Sequence, residues 1–332
     1  MAKCNAITDP NSIWTFCPNI GAAYLFAVLF GLITISHIIQ AIGYRKLYSL
    51  VIIISAMLQT ATYILRVLSI QHVTNDQFYT YWFVFMMIAP IFTNGYAYMV
   101  QGRMVYNFTA SARIFRIPAW RFGLIFVLLD IVAFLIQATG AVIASGQKET
   151  KSIMLGLHIY MGGIAVQQIC IFVFMAIAIR FHLQVRRQAQ SQQRARALTL
   201  VYVQYAVMLL ITVRIIFRLI EYSAGMDSTI PNHEAYQYVF DSSLMMVALV
   251  LYNVWHPGRT MPGREASLPS RKMRKALKKA GTKQQGRMYD LIPLNRKWEF
   301  TDSLDGVEDQ VKGHQRPSAA TQGFAASPNH FV

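Results

Sequence analysis

Charge is scarce in this sequence, and acidic charge most of all. Only 14% of the 332 residues are Asp, Glu, Lys or Arg, where a soluble domain carries about a quarter. Fifteen acids face 31 Lys and Arg, for a net charge of +16. No G-x-x-x-x-G-K-[ST] phosphate loop is present, which excludes ATP hydrolysis by that route. There is no H-E-x-x-H and no clustered Cys/His spacing for a metal, so no cofactor or metal is expected. No catalytic residue is assigned, and the chain is not expected to be an enzyme. The seventh apolar block has no lysine, which removes the usual attachment point for retinal. The first twenty residues are polar and broken by Pro10 and Pro18, so no signal-peptide core is visible.

What the sequence has in abundance is apolar residues, 55% of the chain, gathered in long blocks. Seven blocks fall at about 21–42, 47–68, 80–102, 121–144, 157–180, 198–220 and 235–256. Each is about 22 residues, enough to cross roughly 30 Å of hydrocarbon as a helix. A membrane span must satisfy its backbone internally, and blocks this long and uniformly apolar are not barrel strands. The expected fold is an all-α membrane protein of seven transmembrane helices. Three regions follow: an extracytosolic N-terminal tail (1–20), a seven-helix domain (21–256) and a disordered basic cytosolic tail (257–332).

Lys and Arg set the orientation. The loops after helices 1, 3 and 5 hold Arg45, Lys46, Arg103, Arg113, Arg116, Arg121, Arg180, Arg186, Arg187, Arg194 and Arg196, against Lys3, Lys148 and Lys151 on the other side. The N-terminus is therefore expected outside and the C-terminus in the cytosol. The tail from Pro257 carries 14 of the basic residues and 7 of the acids, with little apolar residue to bury. Its run from Arg271 to Ala280 would contact anionic lipids of the cytosolic leaflet, at about 1 kcal/mol per basic residue near the surface; the alternative is a topology signal alone. Its charge points to a membrane surface, not to nucleic acid. With the N-terminal segment outside, a Cys4–Cys17 disulfide is permitted; two free thiols on a mobile tail are the other reading. Cys170 is expected to be a packing residue.

Charged groups inside the blocks cost about 2.5–3.5 kcal/mol each at mid-helix, so they need a cavity or a partner. Helix 6 carries Arg214, Arg218 and Glu221 on one face. Helix 7 carries Glu234 and Asp241 on one face, with Tyr238 between. Arg214 and Asp241 lie about 9 Å below the outer ends of adjacent helices, which predicts a pairing of Asp241 with Arg214 and Arg218. Such a cluster serves as a clamp, a substrate site or both. Asp130 on helix 4 lies near mid-membrane with no cation placed at its depth, where burial favours a neutral carboxyl. It is either a proton-carrying or headgroup-binding acid, or a protonated Asp bonded to Asn94, Gln59 or a tyrosine. Gln137 and Gly140 continue its face. On helix 3, Pro90 is expected to kink the chain, while Asn94, Tyr98 and Gln101 share a face that ends at Arg103. Gln167 and Gln168 add amides on helix 5. His72, His158 and His233 gather near the outer face with Glu234, as solvated histidines or, less economically, a zinc site.

These stretches also resemble a known family. Ala89-Pro90 leading to Tyr98 and Gly102-Arg103, then Asp130 through Gln137 to Gly140, then Arg214-Ile-Ile-Phe-Arg218-Leu-Ile-Glu221, Gly225, Glu234, Tyr238, Phe240-Asp241 and His256-Pro257-Gly258 are together similar to the fungal RTA-like proteins, the lipid-translocating exporters. The resemblance covers roughly residues 20–260. It implies a seven-helix fungal protein, in many cases of the plasma membrane and in some of endomembranes, linked to export of sphingoid long-chain bases and to resistance to toxic amphiphiles. The expected function is ATP-independent export of lipids or cationic amphiphiles, with Asp130, Gln137, Arg214, Arg218, Glu221, Glu234, Asp241, Arg103, Asn94 and Tyr98 forming the translocation site or buried polar network. A seven-helix receptor or sensor fits the same topology, but no D-R-Y precedes Arg103 and no N-P-x-x-Y ends helix 7. A membrane-embedded lipid hydrolase lacks a recognisable nucleophile or zinc pattern.

The orientation can be checked at Asn107-Phe-Thr109, a glycosylation sequon in a loop assigned to the cytosol. Asn107 is expected to carry no glycan. A glycosidase-sensitive mobility shift that disappears in Asn107→Gln would reverse the assignment.

Overall fold

The computed structural model describes residues 6, 9–12, 14, 16–109, 112–115, 117–145, 150–188, 191–223, 230–261 and 268. Seven helices are long and apolar enough to cross a membrane. They are α1 (Ile20–Tyr44), α2 (Ser49–Gln71), α3 (Asp76–Phe108), α4 (Ala119–Ser145), α5 (Thr150–Gln188), α6 (Ser191–Ser223) and α7, which runs from Glu234 to Val254. A four-residue helix α8 (Pro257–Thr260) follows. A hairpin of two short strands, β1 (Arg113–Ile114) and β2 (Ile117–Pro118), joins α3 to α4. Lipid-facing side chains spiral along α1 at helical spacing, with Leu25, Val28, Leu32, Ile35, Ile39 and Ile42 all exposed. In their most apolar windows α1 buries only 22% of its residues, while α3 and α6 bury 56% each. The last two are therefore the central posts, and their polar residues face protein.

The helices overrun the apolar blocks. At 39 residues, α5 is about 58 Å long, well beyond the roughly 30 Å of a hydrocarbon core. Its excess over the 157–180 block is divided between its two ends, one of which carries Arg186 and Arg187. Capping explains several boundaries: Asn19 accepts from the Ala22 N–H at 3.1 Å and Asn75 from the Gln77 N–H at 3.0 Å. Pro90 does not end α3, which continues to Phe108. The Ser55 hydroxyl donates to the Ala89 carbonyl at 2.9 Å and lies 2.6 Å from the Thr93 hydroxyl, so α2 supplies polar groups where the proline interrupts the ladder.

Two expected tails contain folded parts. Trp14 is buried against Trp82, Tyr79 and Phe16, and its indole N–H donates to the Ser69 carbonyl at 3.2 Å. This part of the N-terminal segment packs on the bundle. Cys17 is disulfide-bonded and Cys170 is free; Cys4 lies outside the described residues. At the other terminus the boundary set at Pro257 falls inside packed structure. His256, Pro257, Gly258 and Met261 are buried, the His256 ring stacks on Tyr44 at 4.7 Å, and Leu268 also packs on the core. The polybasic run 271–280 lies outside the described residues.

The tightest seam joins α4 and α5. A Cβ added at Gly163 would lie 2.8 Å from the Ala133 carbonyl oxygen and 2.7 Å from the Gln137 Cγ; one at Gly156 would lie 2.5 Å from the Ala144 nitrogen. Gly140 opposes the Tyr160 backbone in the same way. Membrane helices associate through such small-residue rows, because lipid gives apolar side chains little reason to prefer protein. Gly163→Ala and Gly156→Ala should each destabilise the bundle by roughly 1–3 kcal/mol through overpacking. Gly162→Ala, with nothing within 4 Å of its added Cβ, should not. Thermal unfolding of detergent-purified protein separates them; equal midpoints for all three would deny the close approach.

Candidate functional site

The buried charges form two groups, one between α6 and α7 and one between α2 and α7. Asp241 accepts from Arg214 Nε through one oxygen and from Arg218 Nη2 through the other. Arg218 Nη1 donates to Glu221 at 2.7 Å, one turn along the same helix. All four residues are at most 8% exposed. The expected pairing is present, and the charges within it cancel. Methionine sulfur supplies a further acceptor: Met86 Sδ lies 3.1 Å from Arg218 Nη2 and 2.8 Å from the Gln237 amide nitrogen.

A π-helical turn makes this geometry possible. Residues Tyr238–Ser242 are π-helical, and the Ser243 N–H bonds back to Tyr238. The wider turn faces Tyr238, Asp241 and Ser242 inward together; all three are buried. Asp241 then meets α6 and Ser242 meets the Tyr63 hydroxyl of α2. Such bulges recur at functional sites.

Glu234 does not join the α6 arginines. It pairs with Arg66 of α2 at 2.7 Å and accepts from the Asn19 N–H at 2.6 Å. Arg66 was not foreseen as a site residue, although a lone arginine in an apolar block is itself the signal. It is 1% exposed, donates to Gln237 Oε1 at 3.0 Å, and lies over the rings of Trp82 (4.5 Å), Tyr238 (5.1 Å) and Trp14 (5.3 Å). Its cationic face is thus covered by aromatics from three elements.

Asp130 stands apart from both groups. Its carboxyl accepts from Asn94 Nδ2 at 3.2 Å and from the Tyr98 hydroxyl at 3.3 Å, and it is 1% exposed. Two of its foreseen partners are therefore present; Gln59 is buried on α2 and is not among them. Gln101, on the same face of α3, is wholly buried with both amide atoms unpartnered among the described residues. Arg103 sits at the opposite end of the bundle from Glu234, donating to the Met99 carbonyl at 3.0 Å with its guanidinium 4.0 Å over the Tyr48 ring. It shares no contact with the central cluster. Among the described residues no three His, Cys, Asp or Glu side chains converge as a metal site.

Two openings approach the cluster. One is an apolar cleft of about 280 Å³ between α3, α4, α5 and α6, lined by Tyr79, Phe83, Val84, Val142, Leu157 and Tyr222 among others. Val84 and Val142 are exposed on the lipid side, so the cleft opens laterally. The other is a narrow throat of about 20 Å³ lined by Gln137, Gln167, Arg214 and Arg218, with Pro90 on its α3 wall. Tyr160 lines both. Gln137 Nε2 donates to Gln167 Oε1 at 3.1 Å across the α4–α5 seam.

Fold and site define a polytopic helical membrane protein whose centre is a neutralised ion cluster beside a lipid-accessible cleft. Sequence comparison gives the family: the RTA1 like protein profile matches residues 52–264, and the chain belongs to that family. The match takes in every charged residue of the two clusters and leaves α1 outside. Similar proteins include the "Probable lipid transporter atnI" of Emericella nidulans, 39% identical over 260 residues, which are 75% of this chain and 68% of that one. The "Sphingoid long-chain base transporter RSB1" of Saccharomyces cerevisiae is 22% identical over 305 residues, 81% and 80% of the two chains. "Protein RTA1" of the same yeast is 24% identical over 277 residues, 75% and 86% of the two chains. No solved structure matches.

Asp241→Asn should strand the Arg214 guanidinium and leave Arg218 with Glu221 alone, at about 3–5 kcal/mol for loss of one member of a buried pair. Glu234→Gln should cost less, because Arg66 keeps Gln237 and three aromatic rings. Surface abundance of tagged variants checks the order; Asp241→Asn at wild-type abundance would show that the arginines do not depend on it.

Proposed function

We propose that this protein moves lipids or lipid-like amphiphiles such as sphingoid long-chain bases across a membrane without nucleotide hydrolysis. The observation that carries the reading is a laterally open apolar cleft ending beside a buried polar cluster, which offers one molecule an apolar and a polar surface at membrane depth. The names of the relatives point the same way. The reading assigns no bond-making chemistry, so the protein is taken as a transporter and not an enzyme. We place its N-terminal end outside and its basic C-terminal tail against anionic lipids of the cytosolic leaflet on the strength of the Lys and Arg asymmetry, and the protein in the plasma membrane, with an endomembrane as the alternative, on the family resemblance alone.

The residues divide by role in this reading. Arg214, Arg218, Glu221 and Asp241 hold α6 to α7, and Arg214 and Arg218 also face the throat with Gln137. Arg66 and Glu234 tie the N-terminal segment to the bundle, while Arg103 anchors the other end. Asp130, with Asn94 and Tyr98, lines neither opening and serves as the coupled proton carrier. Asn resembles a neutral Asp in shape, so Asp130→Asn should fold and reach the surface normally while transport stops.

Proteoliposomes containing only this protein test the reading: they should move a fluorescent long-chain amphiphile between leaflets faster than empty vesicles. No acceleration for any amphiphile would reject it. Wild-type transport by well-expressed Asp130→Asn would reduce Asp130 to a packing residue.

A further inference from the structure

Cleft and throat lie in the same order on all four helices that line them. On α3 the cleft holds Tyr79 to Val84 and the throat Met87 to Ile91; on α4 the cleft holds Val142 and the throat Gln137. On α5 Leu157 precedes Gln167, and on α6 Tyr222 lies beyond Arg218 and Arg214. From Thr80 to Ile91 the two extend about 17 Å along α3. Tyr160 is the wall they share, so an apolar compartment and a polar one lie end to end, in the order of an amphiphile's chain and head.

The polar end is selective in two independent ways. Its volume is about 20 Å³, room for one water-sized group, which suits a hydroxyl and is too small for a phosphate. Its polar lining is two guanidinium groups, two amides and the Tyr160 phenol, with no carboxylate. Arg214 spends Nε on Asp241, and neither of its terminal nitrogens has a protein acceptor among the described residues, so they remain donors at the throat. The Gln137–Gln167 bond occupies one nitrogen and one oxygen, leaving the Gln167 amide nitrogen as a further donor and the Gln137 amide oxygen as an acceptor. A hydroxyl, which both accepts and donates, matches this mixed set, in which donors predominate.

We propose that the throat recognises the terminal hydroxyl of a single-chain hydroxylated lipid whose hydrocarbon chain lies in the α3–α6 cleft. This rests on the transport reading above and names the chemistry of its substrate. A site built to bond a hydroxyl discriminates against an analogue lacking it, because its own donors are then left unpaired. The acids of the central cluster stay committed to arginine and do not serve as headgroup ligands.

The test compares an 18-carbon 2-amino-1,3-diol with its 1-deoxy analogue, which keeps chain and amine but lacks the terminal hydroxyl. Binding to purified full-length protein is followed by tryptophan fluorescence. The diol should bind roughly tenfold tighter or more. In the double variant Gln137→Leu/Gln167→Leu both partners of one bond leave together, so no orphan amide remains and the fold should hold; there the preference should fall below about threefold, with the deoxy compound bound as before. Ala141→Phe, on the cleft wall, should weaken both compounds alike. Equal binding of the two by wild type, a preference that survives in the double variant, or binding of neither compound would overturn the proposal. Failure of the transport reading shows elsewhere, as proteoliposomes that move no amphiphile at all, so the two outcomes are distinguishable.

Discussion

Asp241 accepts hydrogen bonds from two arginines at once, and the centre of the bundle is arranged around that bond. Neither Arg214 nor Arg218 could be held at this depth alone without a large cost, since hydrocarbon offers them no acceptors. Glu221 supplies the second negative charge, so the four groups cancel and no counter-ion is required. To bring Asp241 into line, α7 adopts a π-helical turn from Tyr238 to Ser242. The same turn carries Tyr238 over Arg66 and Ser242 to the Tyr63 hydroxyl. One carboxylate thereby fixes the rotation of α7 against α6 and, through its neighbours, against α2.

The seven spans were legible because apolar runs of bilayer length admit little else. Their ends were not: α3 continues to Phe108 and α5 to Gln188, where polar residues extend the helices past the hydrophobic window. The Arg214/Arg218/Asp241 pairing was also legible, from helical spacing and matched depth. That argument used straight helices of 3.6 residues per turn, so it put Glu234 and Asp241 on one face and missed that they serve different arginines. Nothing in the local sequence announces the π turn; it follows from tertiary demand. Arg66 was overlooked because it stands alone in an apolar block, and Trp14 because its polar surroundings resemble a tail.

The two ends of the bundle are secured differently. At the N-terminal end, Trp14 and the disulfide-bonded Cys17 belong to a segment held over Arg66 and Trp82. At the other end, His256 caps α8 through the Gly258 N–H at 3.0 Å and lies 3.3 Å from the Ser49 hydroxyl, while the Asn107 amide points at Met261 Sδ at 3.4 Å. These contacts tie the last helix to α1, α2 and α3 without a second ion cluster.

The glycine seam between α4 and α5 has a mechanical consequence. Two helices that meet backbone to backbone at Gly140, Gly156 and Gly163, with Gln137 bonded to Gln167 between them, have little side-chain packing that could rearrange on its own. They can travel only as one plank. Any widening of the passage has to come from that plank tilting away from the α3 and α6 posts, and Gln137 and Gln167, which ride on it, would move together as a fixed pair. A cross-link between α4 and α5 would then leave the machine running, whereas one between α4 and α3 would jam it.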